Sequence, residues 1–142
     1  MKVVDAEGHV LGRLASVVAK RLLKGEVVRV VNAEKAIILG DPKEIVARYR
    51  ARRRLNHPRK GPHYPRMPDG IVKRTVRGML PYQEPRGRSA LKRLRVYIGV
   101  PEELRGAKME TLDDAIRAES EQYITVGDVA RDLGASFGGG SR

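Results

Sequence analysis

One third of the chain, residues 48–95, carries all of its excess charge. This basic segment holds sixteen lysines and arginines against two acids, a net charge of +14, whereas the full 142 residues carry +12. Six of the eight prolines also lie in it, so much of the charge is on extended or turning backbone. A segment this basic repels itself and is held compactly only by a polyanion. The segment therefore predicts a nucleic-acid-binding protein.

Length and composition favour a single folded domain over residues 1–142. The hydrophobic share of 41% is ordinary for a globular protein, and the absence of cysteine fits a reducing compartment. Charges interrupt every apolar run well short of the roughly 18 residues that a membrane span needs. The N-terminus carries acids where a secretion signal would be apolar, so we expect a cytoplasmic protein.

Net charge alone leaves three partners open: DNA, RNA and an anionic membrane surface. Membrane binding requires an amphipathic helix with large apolar residues, but the chain has one Phe and no Trp, and its cations cluster near prolines. We therefore expect a nucleic acid and no membrane partner.

The pattern along the first half of the chain is that of an α/β protein. Residues 2–5 and 27–31 are short apolar runs, and the residues between them have helical spacing up to Gly25. This is a βαβ unit, which closes right-handed. Residues 36–39 predict another strand, and Asp41 with Pro42 predicts the start of a helix whose far end, residues 50–54, points cations outward.

The second half predicts shorter elements. Four prolines and Gly61 exclude regular structure from residues 56–68, and Asp69 is predicted to cap a helix over residues 70–80 with Met79 facing inward. A short basic helix is expected over residues 89–94 and a strand over 96–98. The acidic C-terminal third predicts helices over residues 112–118 and 126–133, then a flexible tail over 136–142.

The order and spacing of several motifs resemble the large-subunit ribosomal protein thirteen family. V-R-G-M-L-P (residues 76–81) is followed after five residues by Gly87-Arg88, and after five more by L-R-V-Y-I-G (94–99). D-A-E-G-H-V-L-G-R-L-A-S (5–16) and V-V-N-A-E-K-A-I-I-L-G (30–40) are similar to the same family, and R-K-G-P-H-Y-P-R (59–66) is similar to its archaeal and eukaryotic form. The likeness covers about residues 2–99.

The resemblance implies a three-layer α/β/α fold around a small parallel sheet of about four strands, with residues 48–95 as a basic extended excursion. It also implies a structural role in the large ribosomal subunit, with contacts to its main ribosomal RNA and to neighbouring ribosomal proteins. No cofactor and no small-molecule substrate are expected.

Arginine forms a planar fork that suits phosphate oxygens, and A-form RNA is bound largely through phosphates and 2′-hydroxyls. Histidine and tyrosine between the cations can stack on unpaired bases, and Tyr82 is a further candidate for stacking. The predicted RNA-binding residues are Arg48, Arg50, Arg52, Arg53, Arg54, His57, Arg59, Lys60, His63, Tyr64, Arg66, Lys73, Arg74, Arg77, Arg86, Arg88, Lys92 and Arg93.

Enzyme motifs do not fit the chain. Gly8 and Gly12 stand between a strand and a helix, but their spacing is neither that of a triphosphate loop nor that of a dinucleotide site, so a tight turn is favoured. Three scattered histidines without cysteine predict neither a metal site nor a catalytic triad. An RNA-modifying enzyme and a DNA-binding protein remain as alternatives.

Overall fold

The computed structural model describes residues 1–55, 65–117 and 122–137, without the side chains of Arg54 and Leu55. Its strands are β1 (Lys2–Asp5), β2 (Val28–Val31), β3 (Ile37–Leu39), β4 (Leu94–Val96), β5 (Met109–Glu110) and β6 (Tyr123–Thr125). Its helices are α1 (Leu11–Leu23), α2 (Pro42–Leu55), α3 (Pro68–Arg77), α4 (Pro85–Lys92) and α5 (Val126–Asp132). A parallel sheet of four strands has the order β4-β2-β1-β5. The predicted α/β fold with a small parallel sheet is confirmed.

The sheet separates two hydrophobic clusters because alternate side chains of a strand point to opposite faces. Val4, Val28 and Val30 pack on one face with the buried side of α1 and with α3. On the other face, Val3 and Val31 pack against Leu104 and neighbouring residues of the segment that follows β4. The helices that carry most of the cations therefore lie in the layer on the first face.

The predicted strands do not all belong to the parallel sheet, and two observed strands were not predicted. The strand predicted at residues 36–39 pairs antiparallel with β6 in a separate two-stranded sheet. The strand expected at 96–98 ends at Val96, and β5 and β6 were not predicted. Strands of two or three residues are too short to show a periodicity, and their partners are distant in the sequence.

Both boundaries of two predicted helices are wrong. Met67, not Asp69, precedes the first turn of α3, Pro68 is its first residue, and the helix ends at Arg77. Met79 lies beyond that end and is 43% exposed instead of facing the core. Likewise, α4 begins at Pro85 and ends at Lys92 instead of covering residues 89–94.

The helix predicted over residues 112–118 is also wrong. A single 3-10 turn, Asp113–Ala115, is held instead by the buried side chain of His9. The backbone N–H of Leu112 donates to His9 Nε2 at 2.8 Å, and Ile116 pairs with His9 as an antiparallel bridge. The predicted helix over 126–133 is confirmed as α5, whose capping residue Thr125 accepts a hydrogen bond from the N–H of Asp128.

The described part of the basic segment, residues 48–55 and 65–95, is folded into the domain, whereas residues 56–64 of the predicted excursion lie outside the described residues. Ile71, Val72 and Val76 of α3 and Ala90 of α4 are buried in the main core. At the C-terminus, Phe137 packs against the same core, and residues 138–142 of the predicted tail lie outside the described residues.

Candidate nucleic-acid interface

The C-terminal half of α2 carries cations on an exposed surface while a few apolar residues hold the helix to the domain. Among the described side chains of α2, the buried ones are Ile45 and Tyr49, four residues apart on one side. Arg48, Arg50 and Arg52 are exposed, and Arg53 is half-buried. The guanidinium carbon of Arg52 lies 4.8 Å from the centre of the Tyr49 ring. Of the cations predicted to point outward at residues 50–54, Arg50 and Arg52 are therefore exposed, Arg53 is half-buried, and the side chain of Arg54 lies outside the described part of the chain.

Arg50 forms an ion pair with the last residue of α5. Its Nε and Nη2 donate to the two carboxylate oxygens of Asp132, each at 2.6 Å, a parallel two-bond geometry. Hydrogen bonding to Asp132, followed by the attraction of its charge, raises the pKa of Arg50 above its ordinary value. One cation of the basic segment is thus matched by a carboxylate of the C-terminal third.

Two further arginines lie near this end of α5. Arg53 lines a groove of about 370 Å³ together with Arg50, Asp132 and Leu133. Arg66 Nη1 lies beside Gly134, 3.8 Å from the position that a Cβ there would occupy. Arg50 and Arg53 precede residues 56–64 and Arg66 follows them, so both flanks of that segment meet at the C-terminal end of α5.

A second cluster of cations surrounds the turn between α3 and α4. The guanidinium of Arg77 lies over the ring of Tyr82, 4.3 Å from its centre. Arg88 Nη1 donates to the carbonyl oxygens of Tyr82 and Gln83 at 3.1 and 3.0 Å. Tyr82 is 37% exposed, so the turn presents an aromatic ring with the Arg77 guanidinium over it, while the Arg88 guanidinium bonds to the backbone of the turn. This combination of cations and an accessible ring suits a phosphate backbone with nearby bases.

The remaining predicted cations on α3 and α4 differ in accessibility. Lys73, Arg74 and Lys92 are exposed, and Arg86 is exposed while pairing with Glu84 at 3.3 Å. Arg93 is half-buried, and its Nη2 donates to the carbonyl oxygen of Leu22 at 2.8 Å. Arg93 therefore ties the start of β4 to the end of α1.

Several predicted site residues cannot be placed. His57, Arg59, Lys60, His63 and Tyr64 lie outside the described residues, as does the side chain of Arg54. For these residues RNA contact stays a prediction.

The described residues contain no group of three or more histidines and carboxylates suited to a metal ion. Gly8 has a φ of +76°, which a glycine adopts readily, and it forms the tight turn that was predicted between β1 and α1. None of the helices in the described ranges is long and apolar enough to cross a membrane.

A sequence model described as Ribosomal protein L13 matches residues 1–103, more than half of the chain. The chain belongs to the ribosomal protein L13 family. The match includes β1 to β4, the helices α1 to α4 and the cations that these helices carry. It does not include α5, which contributes Asp132.

Individual members of the L13 family align over most of the chain. The large ribosomal subunit protein uL13 of Archaeoglobus fulgidus is 51% identical over 93% of this chain and 86% of its own length. The proteins of the same name from Methanococcoides burtonii and Methanocaldococcus jannaschii are 48% and 46% identical over 96% of this chain and their full lengths. These three relatives are archaeal, in agreement with the form that residues 59–66 resemble.

One residue of this surface, Asp132, could not be predicted from the sequence. It lies 82 positions after Arg50, among nine acids of the C-terminal third. A regular i, i+4 spacing reveals ion pairs within one helix, whereas no local pattern predicts a pair between two helices.

Proposed function

We propose that this chain is a structural protein of the large ribosomal subunit that binds ribosomal RNA through the cations of α2, α3 and α4. Membership of the L13 family supports the ribosomal role, which is structural and not enzymatic, and the predicted location in the cytoplasmic ribosome. The ribosome surrounds such a protein with RNA and other proteins. The finer assignment, the RNA-binding surface, depends on the geometry of this chain.

The observation that carries the assignment is the position of the cations on the folded domain. Lys73, Arg74 and Lys92 are exposed while the opposite sides of the same helices fill the core. A side chain fixed on a packed helix loses less freedom on binding than one on a free strand, so these cations are suited to fixed phosphate positions. Arg93, which is tied to Leu22, is not included in the proposed surface.

The test compares two triple variants with the same change in charge. Lys73→Gln, Arg74→Gln and Lys92→Gln remove exposed cations from α3 and α4. Lys35→Gln, Arg105→Gln and Lys108→Gln remove exposed cations from outside the basic segment. Each variant lowers the formal charge of +12 by three.

Binding to transcribed main RNA of an archaeal large subunit is measured at one salt concentration, with duplex DNA as competitor. The first variant should bind at least about 100-fold more weakly, since a hydrogen bond to a charged group contributes about 1–3 kcal/mol. The control should stay within about threefold, since exposed charges away from the contact are screened. Equal losses in the two variants, or displacement by DNA at the same concentration as RNA, would refute the proposed surface.

A further inference from the structure

The ion pair between Arg50 and Asp132 has a geometry that is unusual for an exposed contact. Both bonds are 2.6 Å long, although the side chains of Arg50 and Asp132 are 57% and 26% exposed. Exposed ion pairs contribute little to stability in general, but a planar two-bond pair fixes the relative orientation of its partners. We therefore expect the ion pair to fix the orientation of α2 and to contribute little to stability.

The two helices that the pair joins differ in how firmly they are held. Val126, Val129 and Ala130 of α5 are fully buried. Gly127 fits so closely that a Cβ there would lie 2.9 Å from the carbonyl oxygen of Glu34. By contrast, the buried side chains described for α2 are Ile45 and Tyr49, and Arg50 follows the second of these directly. The ion pair thus attaches α2, the less firmly held helix, to the buried helix α5. The attachment is at Arg50, in the basic C-terminal half of α2.

The position of Asp132 on α5 has an electrostatic cost that Arg50 offsets. The C-terminal end of a helix carries partial negative charge, so a carboxylate in the last turn is unfavourable unless a cation lies beside it. Arg50, Arg53 and Arg66 lie near this end of α5, as do Lys43 of α2 and Arg131 of α5 itself. An acid at this place either holds an arginine in position or repels the phosphates that the arginines attract.

We propose that Asp132 is a positioning residue for RNA binding: it holds Arg50, so that the last turns of α2 present Arg48, Arg52 and Arg53 in a fixed direction. This inference rests on the proposed function. It assigns Arg50 to the attachment of α2 to α5 instead of to a phosphate contact. It also predicts that removing a negative charge weakens the binding of a polyanion, the opposite of what net charge predicts.

The experiment uses the full chain and the same transcribed large-subunit RNA. Asp132→Ala is compared with Asp128→Ala, which removes a carboxylate one turn earlier on α5, where it pairs with Arg131 at 3.6 Å. Asp132→Ala should lower RNA affinity about five- to twentyfold because α2 loses its fixed orientation. Asp128→Ala should leave affinity unchanged or slightly higher. Asp132→Asn, which keeps the shape of the side chain, serves as a second variant if Asp132→Ala fails to fold.

A charge swap separates positioning from a general loss of structure. Arg50→Asp alone should bind RNA weakly, whereas Arg50→Asp combined with Asp132→Arg rebuilds the pair at the original net charge and should recover affinity to within about threefold of the unchanged chain. Unaltered or tighter binding by Asp132→Ala, or failure of the swap to restore binding, would overturn the positioning role. If the unchanged chain does not bind the RNA, the proposed function itself fails.

Discussion

Gly87 and Arg88 both contact the short turn between α3 and α4. The backbone of α4 at Gly87 approaches the turn so closely that a Cβ there would lie 2.0 Å from the carbonyl oxygen of Pro81. The next residue, Arg88, donates to the carbonyl oxygens of Tyr82 and Gln83. The Gly87-Arg88 pair thus has two structural roles. A side chain at position 87 would displace the turn, and the guanidinium of Arg88 satisfies carbonyl groups of the turn.

Gly87→Ala should lower the free energy of unfolding by about 2–4 kcal/mol, because the new methyl group overlaps backbone atoms that cannot move independently. Gly12→Ala is the matched control, since Gly12 is exposed within α1 and its Cβ would meet nothing within 4 Å. It should leave stability unchanged or raise it by up to about 0.5 kcal/mol. Urea unfolding of both variants measures the difference, and equal midpoints would contradict the close approach at Gly87.

Among the helices and strands, the α1–β5 contact is the one most open to a test by pH. Arg21 of α1 donates to both carboxylate oxygens of Glu110, at 2.9 and 3.1 Å. Hydrogen bonding from Arg21 lowers the pKa of Glu110 below its ordinary value, and the charges of Arg21, Lys2 and Lys108 act in the same direction, whereas burial opposes them. The two-residue strand β5 at the edge of the sheet is thereby tied to the helix that covers that face.

A lowered pKa in the folded state means that ionisation of Glu110 favours folding. This stabilisation is complete above the ordinary pKa of a glutamate and is lost as pH falls through the lower folded value. Glu110→Gln should therefore lower the free energy of unfolding at pH 7 by up to about 1 kcal/mol, and the difference should be smaller at pH ~3. Thermal unfolding at the two pH values checks this.

Glu103→Gln is the control for the pH experiment. Glu103 is exposed and forms no ion pair among the residues that the structure describes. It should show no stability difference at either pH. A destabilisation by Glu110→Gln that persists undiminished at low pH would show that packing, and not charge, is responsible.

How far the sequence predicts an element depends on where its stabilising contacts lie. The β1-α1-β2 unit was predicted closely because its apolar spacing and Gly25 are local signals. The Thr125 cap of α5 was predicted for the same reason. The helix expected at residues 112–118 does not form because Leu112 bonds to His9, which is 103 positions away. A contact at that separation leaves no trace in the local pattern.

The molecule as a whole is divided between an acidic C-terminal third and a basic segment that is mostly folded into the domain. The charge asymmetry could be read directly from the sequence, but net charge alone left DNA, RNA and an anionic membrane surface open as partners. The placement of the cations could not: α3 and α4 fix theirs on a packed layer, and Arg50 contacts a carboxylate of the acidic third. The backbone positions of the α3 and α4 cations are therefore set by the packing of these helices in the domain.

When the chain binds RNA, its cations should release counterions from the phosphates, and a variant with fewer cations should release fewer counterions. If the chain makes about eight phosphate contacts, the logarithm of its RNA affinity should fall with the logarithm of salt concentration at a slope near −6 to −7. Replacing Lys73, Arg74 and Lys92 by Gln removes three contacts, and the slope should become shallower by about 2 to 3. The Lys35, Arg105 and Lys108 variant should keep the original slope. Filter binding between ~50 and ~200 mM salt measures all three slopes, and a slope for the first variant equal to that of the unchanged chain would show that α3 and α4 do not contact phosphates.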